Sequence, residues 1–163
     1  MNLEQIKAVY FVGIGGIGMS AIARYFISRG VVVAGYDKTR TELTEQLCKE
    51  GAQVHYEDNV ELIPTQCRDK ENTLVVFTPA IPSDHSELTF FREQDFVIQK
   101  RAQVLGTLTR TLKGLCVAGT HGKTTTSSMA AHLLHQSHVD CNAFLGGITK
   151  NYSGLVFLAH AYN

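Results

Sequence analysis

Gly119-Thr120-His121-Gly122-Lys123-Thr124-Thr125-Thr126 is the stretch whose residue types and spacing point most directly to chemistry. An apolar run, Leu115-Cys116-Val117-Ala118, leads into it and reads as a buried strand. Ser127-Ser128-Met129-Ala130-Ala131-His132-Leu133-Leu134 follows and reads as a helix. Strand, glycine loop, Gly-Lys-Thr and helix is the order of a loop that holds a nucleoside triphosphate. Glycines let backbone N–H groups converge on phosphate oxygens, and the helix N-terminus adds positive partial charge. Lys123 is placed to reach the outer phosphates as a point charge, and the Thr124 hydroxyl to ligate a divalent cation. Counting back from Gly122 in G-x-x-x-x-G-K-[ST] puts Val117 at the first glycine. Glycine stands at Gly119 instead, so the loop is of the shorter G-T-x-G-K-T kind. The bland alternative is a glycine-rich helix start with an incidental lysine.

A second glycine motif lies near the start of the chain. Ala8-Val9-Tyr10-Phe11-Val12 reads as a strand, Gly13-Ile14-Gly15-Gly16-Ile17-Gly18 matches G-x-G-x-x-G, and Met19 to Ser28 reads as a helix. Val31 to Tyr36 is the next strand and Asp37 closes it. In such a βαβ unit Gly13 serves the tight turn, Gly15 permits close approach of a diphosphate, and Gly18 lets helix and strand pack. Asp37 stands where an acidic residue meets a ribose hydroxyl; its structural alternative is to cap the next helix. The motif points to a nucleotide diphosphate and does not say which.

These two loops need a frame, and the rest of the chain supplies one. Glu42 to Glu50 reads as a helix with a polar face, Gln53-Val54-His55 as a short strand and Thr73 to Phe77 as a buried strand. The latter ends in Thr78-Pro79-Ala80-Ile81-Pro82, a stiff turn at the edge of the sheet where ligands collect. Ser83-Asp84-His85-Ser86 has the residue types of a hydrolytic triad, but adjacent residues cannot form that relay. Asp84 with Glu87 predicts a capped helix start instead. Phe96-Val97-Ile98 reads as a strand. Arg101 to Leu112, with Val104, Leu108 and Leu112 at helical spacing, reads as an amphipathic helix bridging two domains. Asn142-Ala143-Phe144 is the last expected strand, before Gly146-Gly147 and a weak apolar patch from Leu155 to Ala159. His132, His135 and His138 drift off one helical face and read as solvated surface rather than a metal set. The fold class expected is α/β: a Rossmann-like open parallel sheet with helices on both faces, followed by the start of a phosphate-loop ATPase domain.

Composition narrows the partners. The 163 residues are 44% hydrophobic, enough for a core, and 15 Lys and Arg balance 15 Asp and Glu. That zero net charge gives no basic footprint for nucleic acid or a membrane surface. Cys48, Cys67, Cys116 and Cys141 are scattered without a CxxC and read as reduced thiols of a cytoplasmic protein. Residues 1–7 do not read as a signal peptide, and no apolar run approaches the ~18 residues of a membrane span. Oligomeric state is not legible here.

Taken together, Phe11-Val12-Gly13-Ile14-Gly15-Gly16-Ile17-Gly18-Met19-Ser20-Ala21-Ile22-Ala23 and Ala118-Gly119-Thr120-His121-Gly122-Lys123-Thr124-Thr125-Thr126 resemble the Mur ligase family. Phe77 to Pro82 and Arg101-Ala102-Gln103-Val104-Leu105 are supporting matches, and the resemblance runs to about Gly147. It implies ATP-dependent ligation of L-alanine to UDP-N-acetylmuramate in peptidoglycan precursor synthesis, through an acyl phosphate. It implies UDP contacts from Gly13, Gly15, Gly16, Gly18, Met19, Asp37 and Ala80. It implies ATP contacts from Gly119, Thr120, His121, Gly122, Lys123, Thr124 and Thr125, with Lys123 catalytic and Thr124 on Mg2+. The domains it suggests are 1–99 for UDP, 100–113 as a linking helix and 114–163 as the incomplete start of the ATP-binding domain. Glu57-Asp58 stands where many relatives carry a Gly-His pair near uracil, so that contact is not carried over. After Lys123 the one acidic residue is Asp140, whereas phosphoryl transfer of this type needs a further carboxylate on the metal. The chain is therefore expected to be an amino-terminal piece that binds UDP-sugar without completing the reaction. An NAD(P)-dependent oxidoreductase and a non-catalytic nucleotide-sugar module are the competing readings.

Overall fold

The computed structural model describes residues 5–137, 139 and 141–145. Five parallel strands make one sheet: β1 (Ala8–Val12), β2 (Val32–Tyr36), β3 (Gln53–His55), β4 (Thr73–Phe77) and β5 (Val97–Lys100). Their order is β3-β2-β1-β4-β5. The described helices are α1 (Ile17–Ile27), α2 (Glu42–Lys49), α3 (Ser86–Glu93), α4 (Arg101–Thr111) and α5 (Lys123–Gln136), and 3-10 turns lie at Val60–Leu62 and Thr65–Cys67. The expected α/β class is the observed one.

Central β1 is buried along its whole length, as a strand covered on both faces must be. Alternation along it feeds two cores. Val9 and Phe11 pack with Ile22 and Phe26 of α1 and with Val104 and Leu108 of α4. Ala8, Tyr10 and Val12 pack on the other side with Leu88 and Phe91 of α3. Neighbour order reverses at β1, whose partners are β2 and β4. In an open α/β sheet the crevice at the carboxyl ends of those strands is where ligands sit.

Gly35 in β2 leaves no room for a side chain, because a Cβ there would run into the Phe11 carbonyl oxygen of β1. Gly35→Ala is therefore expected to force the two strands apart and to cost about 1–3 kcal/mol. A urea midpoint equal to the parent's would show that the β1–β2 spacing relaxes freely.

Three expectations are corrected. The helix starting near Asp84 has no capping box of its own: His85 is its N-cap residue, without a side-chain cap bond. The cap comes from across the chain, where the Asp58 carboxylate accepts from the Ser86 amide at 3.0 Å and the Glu87 amide at 3.3 Å. Leu115 to Ala118 is not a strand, and Leu115 is 79% exposed. A strand gains its backbone hydrogen bonds from a neighbour, and no described segment pairs with this run. Asn142 to Phe144 is likewise without strand structure. Phe144 instead packs on the main core, 5.9 Å from the Tyr25 ring. The helix read as a bridge, α4, sinks Val104 and Leu108 into the core of the first sheet. Asp140, His138, Gly146-Gly147 and the patch from Leu155 to Ala159 lie outside the described residues. Among the described residues no helix is long and apolar enough to cross a membrane.

Candidate nucleotide-binding site

The loop between β1 and α1 is pinned from three sides. Gly13, at φ +91°, and Ile14 donate their amides to the Tyr36 carbonyl at the end of β2, at 2.8 and 3.0 Å. That left-handed backbone at Gly13 is the conformation glycine adopts without penalty. Thr78 and Ile81 close over the same residue: a Cβ on Gly13 would lie 2.9 Å from Thr78 Cγ2 and 3.3 Å from Ile81 Cδ1. The turn after β4 is held by the Ile81 amide donating to the Thr78 carbonyl at 3.1 Å, leaving Ala80 exposed at its tip. On the third side the Gly15 amide donates to Asp37 Oδ2 at 2.7 Å. Asp37 Oδ1 accepts from the Thr39 amide at 3.0 Å.

Asp37 does not cap α2, since Thr41 does, accepting from the Thr44 amide at 3.3 Å. Its carboxylate clamps the glycine loop, so the acidic residue expected at a ribose is also part of the loop's own scaffold. Gly16 is exposed at the head of α1, which has no side-chain cap and no acidic residue in its first turn. The first amides of a helix have no i−4 partner within it; the Met19 amide turns back to the Gly16 carbonyl at 3.0 Å, and among the described residues no protein acceptor serves the amides of Gly16, Ile17 and Gly18. Met19 is only 2% exposed and belongs to the core, so it positions the helix rather than presenting its side chain.

Sequence reasoning missed Arg101 as a site residue. It opens α4, and its guanidinium lies over Gly18: a Cβ there would overlap Nη1 and come within 3.1 Å of Cδ and Cζ. Arg101 makes no ion pair among the described residues. A cation over the positive end of a helix that has no acid in its first turn makes with it a place for an anion. The signal in the sequence was Gly18 itself, whose missing side chain makes room for Arg101. Nothing local says that α4 folds back onto α1.

Around the second loop, Gly122 is the N-cap residue of α5 at φ +75° and Gly119 lies at φ +154°. No side chain caps α5 and no acid occupies its first turn. The Lys123 ammonium folds back to donate to the carbonyls of Gly119 at 2.5 Å and Thr120 at 3.1 Å. Residues 119–126 are all exposed, including His121, Thr124 and Thr125. The donor set fits a polyphosphate: an uncapped helix start, two glycines with positive φ and one lysine. For Mg2+ it offers the Thr124 hydroxyl, and among the described residues no three acids, histidines or cysteines gather to complete a metal site. The structure thus brings together residues 13–18, 37, 78–81 and 101 as one site, while 119–126 form a separate one. A cavity of about 480 Å³ lined by Ile6, Phe26, Val31 and Leu108 opens at the opposite end of the sheet and belongs to neither.

Glu57-Asp58, the pair noted at the base end of such a site, is committed to scaffolding. The Glu57 carbonyl lies 2.9 Å from His55 Nδ1, and Asp58 caps α3. Partial burial disfavours the Asp58 carboxylate, but hydrogen bonds from the Ser86 side chain and amide and from the Glu87 amide outweigh it and hold its pKa below the ordinary value. Asp58→Ala is expected to lower stability by about 1 kcal/mol, with Asp58→Asn recovering most of it. Thermal melts of the two variants check this, and equal losses would mean the cap is not the source.

Comparison with known proteins bears on both loops. Residues 8–113 match the Mur ligase family, catalytic domain. The UDP-N-acetylmuramate–L-alanine ligase of Phocaeicola vulgatus is 63% identical over 159 residues, which is 98% of this chain and 35% of the relative. The enzyme of the same name from Parabacteroides distasonis is 62% identical over 159 residues, 98% of this chain and 34% of the relative. The chain therefore spans about a third of the length of the curated relatives it matches. Among solved structures, the UDP-N-acetylmuramate–alanine ligase of Thermotoga maritima superposes with a TM-score of 0.82 at 35% identity, covering 94% of this chain and 35% of the other. A murein peptide ligase from Psychrobacter arcticus shares the fold, with a TM-score of 0.80 at 23% identity over 94% of this chain and 33% of the other. With the match spanning β1 to the second residue after α4 and the relatives aligned across both glycine loops, the chain belongs to the Mur ligase family.

Proposed function

We propose that this chain is the nucleotide-sugar-binding part, with the phosphate loop, of a ligase that joins L-alanine to UDP-N-acetylmuramate at the expense of ATP. Arg101 over Gly18, at a start of α1 that has no side-chain cap and no acid in its first turn, is the observation that carries the reading. In this reading the diphosphate of UDP-N-acetylmuramate lies between the two. The amides at Gly16 and Gly18 donate to it, and Gly15 gives it room. Arg101 offsets its charge, and Asp37 keeps the loop in register while its other lone pairs face the ribose. Ala80, at the tip of the turn after β4, borders the same crevice.

ATP takes the second loop. Lys123 leaves the carbonyls of Gly119 and Thr120 for the outer phosphates, where it offsets the charge that builds up on the transferred group. Gly119, Thr120, His121, Gly122 and Thr125 line the polyphosphate, and Thr124 supplies one oxygen to the metal. Mg2+, held in part by Thr124, would neutralise phosphate charge. No described residue is assigned to L-alanine. Family membership sets aside the oxidoreductase reading of the first loop. A cytoplasmic location follows from the nucleotide substrates and the reduced-thiol reading of the cysteines.

The 163-residue chain on its own is expected to bind UDP-N-acetylmuramate and to form no amide bond. Single-turnover mixing with saturating ATP, Mg2+, UDP-N-acetylmuramate and L-alanine tests this. Binding without phosphate release is the expected result. Stoichiometric phosphate with UDP-N-acetylmuramoyl-L-alanine formed would show that residues 1–163 hold the whole catalytic set.

A further inference from the structure

Beneath the sheet edge, on the α3 face, three side chains from three elements meet. Tyr10 of β1 places its hydroxyl 2.7 Å from His55 Nε2 at the end of β3 and 2.7 Å from Glu87 Oε2 in the first turn of α3. Glu87 is fully buried. Its other oxygen, Oε1, accepts from the Asn59 amide at 3.2 Å and lies 3.4 Å from His55 Nε2.

Counting hydrogens fixes the protonation of this group. The Glu57 carbonyl can only accept, so His55 Nδ1, 2.9 Å away, carries a hydrogen. The Tyr10 hydroxyl has one hydrogen and two neighbours at hydrogen-bond distance, and both are acceptors when His55 is neutral and Glu87 ionised. One of the two contacts therefore needs a hydrogen from the other side. It comes either from a protonated Glu87 carboxyl, with Tyr10 donating to neutral His55, or from a His55 imidazolium, with Tyr10 donating to the Glu87 carboxylate. Both arrangements hold the same number of protons. They interconvert as Tyr10 gives one hydrogen and takes another.

We infer that Tyr10, His55 and Glu87 form a proton-sharing latch, which holds the loop after β3 and the start of α3 against β1 while one proton is kept between His55 and Glu87. Release of that proton leaves two acceptors and a single hydrogen in a buried space, and the loop carrying Asn59 loosens. This inference stands apart from the nucleotide assignment.

The surroundings favour the neutral form of the pair. Burial pushes the Glu87 carboxyl up to about 7, against hydrogen bonds from Tyr10 and the Asn59 amide and with the Asp58 charge adding to the rise. Burial also lowers His55 and His85, the latter placed with its Nδ1 3.2 Å from Asp58 Oδ1 and its ring against Tyr36. Burial pushes the Cys67 thiol, on the 3-10 turn below Tyr10, up to about 12, so it stays neutral. Tyr10 is raised above its ordinary value by burial first and then by the Glu87 charge, and it also stays neutral.

The sign of the pH effect follows. Glu87 folded holds a proton that Glu87 unfolded has lost, so its contribution to stability is complete below about pH 4.5 and fades as pH rises through about 7. Glu87→Gln copies the protonated carboxyl: its amide donates to Tyr10 and its carbonyl accepts from Asn59. The test has two parts, both on the whole chain. In the parent, 13C-carboxyl and 15N-imidazole titration is expected to show the pair releasing one proton between pH 6 and 9, with Glu87 and His55 signals sharing one midpoint. The protection of the Asn59 amide, corrected for intrinsic exchange, is expected to fall across the same midpoint. No proton released by either residue in that range, or release with Asn59 protection unchanged, would overturn the latch. In melts, the parent-minus-Glu87→Gln difference is expected to drop by about 2–4 °C from pH 6 to 9. A constant or growing difference would overturn it as well.

Discussion

Gly15→Val is expected to abolish measurable UDP binding and to destabilise the chain at the same time. The residue has no spare volume: a Cβ would stand 2.7 Å from Asp37 Oδ2 and 2.9 Å from Thr44 Cγ2. Valine must therefore push Asp37 away and break the 2.7 Å bond from its own amide to that carboxylate. Losing a hydrogen bond to a charged group costs about 1.5–3 kcal/mol, or roughly 10- to 150-fold in a coupled affinity. The side chain also intrudes where a diphosphate needs close backbone approach. Overpacking adds about 1–3 kcal/mol of lost stability. Calorimetry with UDP, run well below the variant's melting temperature, separates the two losses. A folded variant with the parent's affinity would place the diphosphate elsewhere.

Lys123→Ala is expected to leave UDP binding unchanged and to weaken ATP binding by about 10- to 150-fold, the value of one charge-assisted hydrogen bond of roughly 1.5–3 kcal/mol. The lysine makes no ion pair among the described residues, and its bonds to the Gly119 and Thr120 carbonyls are exposed. It is thus available to a ligand. Parallel titrations with ATP–Mg2+ and UDP read this out. An equal loss of both affinities would mean that Lys123 acts through folding, by tying down its own loop.

What was legible in the sequence was whatever is written locally. The run from Ala8 to Gly18 states strand, turn and helix within a dozen residues, and the structure builds β1, the loop and α1 there. Thr73 to Phe77, a continuous apolar run before a proline turn, folds as β4. Leu115 to Ala118 has the same look but forms no strand, because a strand is a relation between two segments and apolar residues in a row supply only one. The cap of α3 was misread for a similar reason: Asp84 is near in sequence, but Asp58, 28 residues before Ser86, holds the helix start. Asp37 was placed correctly at the end of β2, yet its bond to Gly15 depends on how far the loop leans over β2. Arg101 and the Tyr10–His55–Glu87 group come together only when α4 folds onto α1 and α3 onto β1. Neither has a spacing that could announce it.

The central claim is that a uridine diphosphate sugar seats its diphosphate between the start of α1 and Arg101. Amide and guanidinium chemical shifts of the 15N-labelled chain, followed during titration with UDP-N-acetylmuramate, test it most directly. Saturable shifts centred on Gly15, Gly16, Ile17, Gly18 and Arg101 Nε are expected. NADH should leave those signals in place, and Arg101→Ala should weaken the response by at least about tenfold. Shifts that bypass residues 13–18 and Arg101, or that NADH reproduces at equal concentration, would contradict the account.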